Sequence, residues 1–183
     1  MKKVAIILSD GFEEIEAISV IDILRRATIG VEILSLNDIN VTGGHGITII
    51  ADERFDYYSA LEFDGIIFAG GMKNAITLSE NSDIIKLINY YYECGKLIGG
   101  ICASPAIIFS NTNIYEGKKE FTCYPDKELI AKVKDGVFVD SPVVFVDNIL
   151  TSQSPSTATH FALAICEILG YDSSIILNEL EGK

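Results

Sequence analysis

Short, fully apolar runs alternate with amphipathic stretches along the first part of the chain. Residues 4–8 are continuously apolar and rich in β-branched side chains, which is the pattern of a strand buried on both faces. Asp10 and Gly11 break this run, and residues 12–27 follow with apolar positions at helical spacing. Residues 31–36 are then predicted to form a second strand. A strand, a helix and a strand within this span predict a right-handed parallel crossover.

The same alternation continues along the rest of the chain. The further predicted strands are residues 46–51, 64–69, 96–101, 121–124, 137–139, 143–146 and 149–152. The further predicted helices are residues 82–94, 103–110 and 155–169. No linker, repeat or low-complexity stretch interrupts the pattern. Residues 1–183 are therefore predicted to form one doubly wound α/β domain with a mostly parallel sheet.

Composition and charge narrow the range of partners. Hydrophobic residues make up 49% of the 183 and charged residues 22%, which excludes intrinsic disorder. The chain has 14 Lys and Arg against 26 Asp and Glu, so its formal net charge is −12. Nucleic acids and anionic membranes are bound by clustered basic residues, so neither partner is expected. The apolar runs are too short for an export signal or a membrane span, and we expect a cytoplasmic protein with reduced thiols.

The cysteines are too scattered to suggest a zinc site or a disulfide framework. They include no Cys-x-x-Cys pair, and the chain has only two histidines, so no metal is expected. Cys166 lies in the apolar stripe of the last predicted helix and Cys94 at a helix end, and both are interpreted as structural. The four cysteines are Cys94, Cys102, Cys123 and Cys166.

Cys102 occupies the most informative position, because ligands of open α/β sheets bind beyond the carboxyl ends of the strands. The segment Gly100-Ile101-Cys102-Ala103-Ser104 joins an apolar strand to a predicted helix. This layout is that of a nucleophile elbow with sulfur in place of the serine oxygen. The amides at the start of the helix are expected to lower the pKa of the thiol into a reactive range.

Other strand ends offer partners for this cysteine. The backbone amides of Gly70-Gly71 could approach an oxyanion beside Cys102. Glu13, Glu14 and Glu16 cannot all lie on one helix face, so one of them is directed toward the sheet edge and could exchange a proton with the thiol. The two histidines, His45 and His160, have no spacing that pairs them with Cys102, and they are interpreted as a loop residue and a helix-packing residue.

These motifs together resemble the DJ-one/ThiJ/PfpI superfamily, and within it the ThiJ-like branch that includes a Parkinsonism-associated deglycase. The resemblance runs from Lys3 to about Gly170. It implies a flavodoxin-like three-layer sandwich and a homodimer. Its motifs are Asp10-Gly11-Phe12-Glu13-Glu14-Ile15-Glu16, Asp22-Ile23-Leu24-Arg25-Arg26-Ala27, Ala69-Gly70-Gly71, Gly100-Ile101-Cys102-Ala103-Ser104-Pro105 and Leu150-Thr151-Ser152-Gln153.

The resemblance also implies roles for particular residues. Cys102 matches the reactive cysteine, Glu16 the protonated carboxyl beside it, and Gly71 and Ala103 the amides of the oxyanion site. The further residues of the expected pocket and its rim are Gly70, Tyr124, Arg26 and His45, where Arg26 matches a basic residue near the dimer rim and His45 a position that is often Arg. Many relatives have His where this chain has Tyr124, which leaves a Cys-His dyad without its second member.

Two functions follow from this resemblance. The first is a hydrolase or lyase of glyoxalase or deglycase type that acts without cofactor on methylglyoxal, a small reactive carbonyl compound, or on early glycation adducts of side chains. The second is an oxidative-stress sensor or chaperone-like protein in which Cys102 is oxidised to a sulfinate. A cysteine peptidase is the weakest alternative, because it needs a histidine partner.

Overall fold

The computed structural model describes residues 1–183 and consists of eleven strands and eight α-helices. The elements to Ser79 are β1 (Lys3–Leu8), α1 (Glu14–Arg26), β2 (Gly30–Ser35), β3 (Asn40–Thr42), β4 (Thr48–Ile50), β5 (Glu53–Arg54), α2 (Tyr57–Ala60), β6 (Gly65–Phe68) and α3 (Met72–Ser79). Those that follow are α4 (Ser82–Glu93), β7 (Leu97–Ile101), α5 (Ser104–Ile107), β8 (Glu120–Phe121), α6 (Lys127–Ile130), β9 (Val137–Phe138), β10 (Val143–Val146), β11 (Ile149–Ser152), α7 (Ala158–Ile168) and α8 (Ser173–Glu181).

Seven strands form the central sheet, in the order β10-β11-β7-β6-β1-β2-β5. All neighbouring pairs are parallel except β10 and β11. The strands β1, β6 and β7 lie side by side in the middle, so their carboxyl ends meet at one edge of the sheet. The strands β3 and β4 form a separate antiparallel hairpin.

Two hydrophobic cores cover the two faces of the sheet. The helices α1 and α7 pack on one face, where Leu24 and Phe161 are fully buried. The helices α3, α4 and α5 lie on the other face, where Tyr91 and Phe109 are fully buried. Because both faces are covered, every side chain from residue 4 to residue 8 in β1 is buried, as its continuous apolar run predicts. The predicted three-layer, doubly wound α/β fold is confirmed.

Several boundaries differ from the sequence pattern. Residues 46–51 do not add a strand to the sheet, because β4 pairs only with β3 in the hairpin. The strand predicted at residues 121–124 ends at Phe121, and the helices predicted from residues 103 and 155 both include short 3-10 turns, at Phe109–Asn111 and Pro155–Thr157.

The sequence pattern does not predict the one-turn helices α2 and α6, and it also does not predict the longer helices α3 and α8. Both have exposed apolar residues beside their buried ones, such as Ile76 beside Ala75 and Ile175 beside Ile176, so neither presents the one-sided stripe that marks an amphipathic helix. None of the helices combines the length and the apolar character needed to cross a lipid bilayer.

Candidate active site

The backbone bends sharply at Cys102, directly after β7. Its φ angle is +63°, in the left-handed region that costs a residue with a side chain roughly 1–3 kcal/mol. Strand β11 holds this conformation on one side and the loop after β8 holds it on the other. The N–H of Cys102 donates to the carbonyl oxygen of Ser152 over 2.9 Å, and its own carbonyl oxygen accepts from the N–H of Tyr124 over 2.9 Å. The strained turn places the half-buried thiol between the two cores at the strand ends.

Glu16 brings its carboxyl group to the same place from the first turns of α1. The residue is fully buried, and its Oε2 accepts a hydrogen bond of 2.6 Å from the N–H of Gly70. The other oxygen, Oε1, is buried and accepts no hydrogen bond from a nitrogen or oxygen of the protein. Burial raises the pKa of Glu16 to about 7, against the opposing effects of the Gly70 amide and the Cys102 thiol.

The pKa of Cys102 lies above its ordinary value, because burial disfavours the thiolate and the Glu16 carboxylate repels it. The amides of Ala103 and Gly71 act in the opposite direction and are outweighed. The predicted lowering of this pKa by the following helix is therefore wrong. Helix α5 contributes one short turn, Ser104–Ile107, whose amides do not offset the loss of water and the adjacent charge. A thiolate is favoured here only when the proton stays on Glu16.

Glycines make room for the pair of side chains. A Cβ atom at Gly70 would lie 2.6 Å from both the Cβ of Cys102 and the Oε2 of Glu16. Gly71 has a φ angle of +88°, and a Cβ there would lie 2.1 Å from the carbonyl oxygen of Gly11. No larger residue fits at either position without moving the site.

Tyr124 approaches Cys102 through its backbone, while its side chain is 46% exposed. This side chain, with those of Met72 and Ile76, lines a groove of about 1060 Å³ that runs past α3 and α6. Cys102, Glu16, Gly71 and Ala103 do not line this groove, so of the predicted site residues only Tyr124 belongs to it.

His45 and Arg26 are not brought to Cys102 within this chain. The backbone N–H of His45 donates to Glu14 Oε1 over 2.7 Å, and its Nδ1 lies 2.9 Å from Glu14 Oε2. Arg26 lies at the far end of α1 and pairs with Asp22 over 2.8 Å and with Glu179 over 2.5 Å. Their expected roles at the pocket and the dimer rim remain predictions.

One group of side chains has the composition of a metal site. Ligand atoms of Glu13, Glu14 and His45 all lie within 4.8 Å of one another. Glu14 is already engaged by the side chain of His45 and by two backbone N–H groups, those of His45 and Ile47. These hydrogen bonds account for the closeness of Glu14 and His45.

Sequence reasoning missed two buried polar residues that support the turn after β6. Asn74 donates to the carbonyl oxygens of Ala69 and Gly70, and Ser104 Oγ donates to that of Ala69 over 2.7 Å. Ser104 lies within a recognised motif, but Asn74 lies in the helix that the apolar pattern did not reveal. Only the three-dimensional contacts identify it.

A cysteine at a strained strand-to-helix turn, facing a buried glutamate and two backbone amides, defines a flavodoxin-like α/β protein with a nucleophile-elbow cysteine. The model of the DJ-1/PfpI family matches residues 2–168. The chain belongs to this family.

Named relatives are similar over most of this chain. Protein DJ-1 homolog A and Protein DJ-1 homolog B of Arabidopsis thaliana are 35% and 32% identical over 161 residues, which is 87% of this chain but 40% and 36% of those proteins. The chain thus spans about two fifths of the length of these two relatives. Glutathione-independent glyoxalase DJR-1.2 of Caenorhabditis elegans is 33% identical over 173 residues, which covers 92% of this chain and 89% of that protein. Deglycase TK1284 of Thermococcus kodakarensis is 28% identical over 153 residues, which covers 84% of this chain and 90% of that protein.

Solved structures agree with the fold. Oxidized DJ-1 of Toxoplasma gondii has a TM-score of 0.91 at 30% identity, and the match covers 98% of both chains. DJ-1beta of Drosophila melanogaster has a TM-score of 0.91 at 30% identity, with 98% of this chain and 97% of that chain covered. The flavodoxin-like architecture is shared along nearly the whole chain.

Proposed function

We propose that the protein is a cofactor-free enzyme of glyoxalase or deglycase type that acts on methylglyoxal or on its early adducts with side chains. The observation that carries this proposal is that Cys102 and the buried Glu16, whose pKa is raised to about 7, meet at Gly70, where a Cβ atom would lie 2.6 Å from both side chains. A carboxyl that titrates near neutral pH can both give and take a proton. The names of the glyoxalase and deglycase relatives support the same kind of chemistry.

The reaction is an internal rearrangement followed by hydrolysis. The sulfur of Cys102 adds to the aldehyde carbon of methylglyoxal, and the amides of Gly71 and Ala103 donate to the oxygen that becomes negative. Glu16 gives a proton to that oxygen. As a carboxylate it then takes the proton of the former aldehyde carbon and gives it to the neighbouring carbonyl carbon. The hydroxyl proton passes to the oxygen of that neighbouring carbon, which leaves a lactate thioester. Water cleaves the carbon–sulfur bond, lactate is released and the thiol is restored, with no net oxidation or reduction.

Lactate formation from methylglyoxal tests this proposal. We expect turnover in the unmodified protein, a fall to the buffer background in Cys102→Ser, and a loss of roughly 100-fold or more in Glu16→Gln. Cys94→Ser is the matched control, since Cys94 is exposed on another part of the fold, and it should keep the full rate. Turnover that survives in Cys102→Ser would contradict the mechanism.

A sensor role for the same thiol is the second candidate function. Cys123 and Cys166 are buried, so only Cys94 and the half-buried Cys102 are open to an oxidant. A protonated Glu16 could donate a hydrogen bond to a sulfinate on Cys102. Peptide mapping after mild peroxide separates the candidates, because equal oxidation of Cys94 and Cys102 would speak against a tuned sensor site.

We also propose that the protein is a homodimer. Ile15 and Ile18 on α1 and Ile47 and Ile50 of the β3–β4 hairpin are all exposed by between 43% and 73%. Glu14 joins the hairpin to α1 and so places these isoleucines on adjoining elements. Exposed apolar side chains concentrated on two connected elements are typical of an interface.

A further inference from the structure

Asn74 is a fully buried polar residue in the first turn of α3, and its amide group makes every hydrogen bond available to it. Its Oδ1 accepts from the N–H of Ser9 over 2.7 Å and from Ser9 Oγ at 3.2 Å. Its Nδ2 donates to the carbonyl oxygens of Ala69 over 2.9 Å and Gly70 over 3.1 Å. An amide has two donor and two acceptor positions, so this side chain has a complete set of partners.

The two carbonyls that Asn74 binds belong to the peptide units that supply the amides of the site. The carbonyl of Ala69 and the N–H of Gly70 are parts of one planar peptide unit, as are the carbonyl of Gly70 and the N–H of Gly71. In a trans unit the two groups point in opposite directions, so fixing the oxygen fixes the direction of the N–H. The Gly70 N–H donates to Glu16, and the Gly71 N–H faces the Cys102 sulfur.

The same side chain joins two strand ends. Ser9 follows β1, and Ala69 follows β6, which pairs with β1 in the sheet. Gly70 therefore cannot rotate without breaking bonds to Asn74, and its carbonyl is further held by the N–H of Glu13 over 3.1 Å. The turn is anchored to rigid elements on several sides.

We propose that Asn74 is a positioning residue that orients the Gly70 and Gly71 amides toward Glu16 and Cys102. Its role in catalysis rests on the proposed function of that pair, but its role in the geometry does not. Without the Asn74 donors, the Ala69 carbonyl keeps its bond from Ser104 Oγ and the Gly70 carbonyl its bond from the N–H of Glu13. Each peptide unit is then held by one donor instead of two and tilts more easily, so the amide hydrogen bonds to the carboxylate and the thiolate weaken. Both charged forms are then less stable, so the protons are held to higher pH.

The test is the pH dependence of Cys102 alkylation by iodoacetamide, followed by peptide mapping so that Cys94 is scored separately. Asn74→Leu removes all four hydrogen bonds without adding a charge. We expect the midpoint of its profile to rise by about one pH unit, which is a roughly tenfold lower rate on the acid side of the midpoint. The midpoint for Asn74→Ser should lie between those of Asn74→Leu and the unmodified protein. A serine in a helix can donate a hydrogen bond to the carbonyl four residues earlier, which here is that of Gly70.

Ser9→Ala is the matched control. It removes one bond to Asn74 on the acceptor side and leaves both carbonyl bonds intact, so its midpoint should not move. An unchanged midpoint in a folded Asn74→Leu variant overturns the proposal, even if its melting temperature falls. If that variant does not fold, an unchanged midpoint in Asn74→Ser overturns it instead. Alkylation needs no turnover, so a protein that releases no lactate can still show the shift.

Discussion

Cys102 and Glu16 hold two protons between them below about pH 7 and one proton above it. Glu16 loses its proton near pH 7, while the Cys102 thiol beside the resulting carboxylate resists ionisation. The two groups therefore titrate as a pair, in which one proton leaves near neutral pH and the second leaves at far higher pH. The nucleophile is the form in which sulfur has lost the proton and oxygen has kept it.

This coupling predicts an alkylation profile that depends on Glu16. In the unmodified protein the rate should fall about tenfold for each pH unit below about 7 and level off above it, because the first proton of the pair is lost there. In Glu16→Gln no carboxylate can form, so the midpoint near 7 should disappear and a single thiol titration should remain. The rate of iodoacetamide labelling from pH 5 to pH 10 measures both. A midpoint near 7 in Glu16→Gln would show that another group controls Cys102.

The residues of the site were partly predictable. The sequence around Cys102 indicates the elbow, because the small residues and the following helix are local features. The sign of its pKa shift is not local, since it depends on burial and on Glu16, a residue of the first helix. The role of Asn74 is not predictable from the sequence either, because its partner Ser9 lies 65 residues away in the chain.

The β3–β4 hairpin depends on one buried carboxylate of α1. Burial alone raises the pKa of Glu14, but hydrogen bonds from the His45 side chain and from the N–H groups of His45 and Ile47 outweigh it and lower the pKa to about 2. A carboxyl whose pKa is lowered by folding stabilises the fold above its unfolded pKa of about 4.5. This contribution is lost as the pH falls from about 4.5 to about 2.

Replacing Glu14 by Gln should therefore destabilise the protein at neutral pH. We expect a loss of about 1.5–3 kcal/mol in the free energy of unfolding, the usual value for hydrogen bonds to a charged group, and a smaller difference at pH 3. Urea denaturation at both pH values measures it. Glu128→Gln is the control, because Glu128 occupies the first turn of α6 but is exposed, and it should change stability by less than about 0.5 kcal/mol. An equal loss of unfolding free energy at pH 7 and pH 3 would contradict the proposed contribution of the ionised Glu14.

At the level of elements, the sequence predicts the strands that are buried on both faces and the helices that bury one regular stripe. Strand β1 is buried on both faces and α4 buries a regular stripe of Ile84, Leu87, Ile88 and Tyr91, so both patterns were clear. Strand β4 lies in the predicted strand at residues 46–51, but it pairs in a hairpin outside the sheet. The local sequence pattern does not specify which strand pairs with which, because pairing is decided when the whole chain folds.

For the whole molecule, the exposed isoleucines of α1 and the hairpin determine the expected assembly. A dimer of the 20.0 kDa chain has a mass of about 40 kDa, and light scattering after size-exclusion chromatography distinguishes it from a monomer. Ile50→Asp should shift the mass toward that of the monomer, because it places a charge in the proposed interface. Val137→Asp changes a residue of β9 that is 45% exposed and should leave the mass unchanged. A monomeric mass for the unmodified protein at all concentrations would contradict the dimer.

The meeting of β1, β6 and β7 at one edge also links the site to the course of folding. Glu16, Gly70 and Cys102 are far apart in the chain and become neighbours only after three parallel strands have paired. Such non-local pairing forms late and cooperatively. In an incompletely folded chain Cys102 is an ordinary thiol without its acid partner. The paired reactivity of this cysteine is therefore a property of the native state alone, and it arises only when the centre of the sheet is complete.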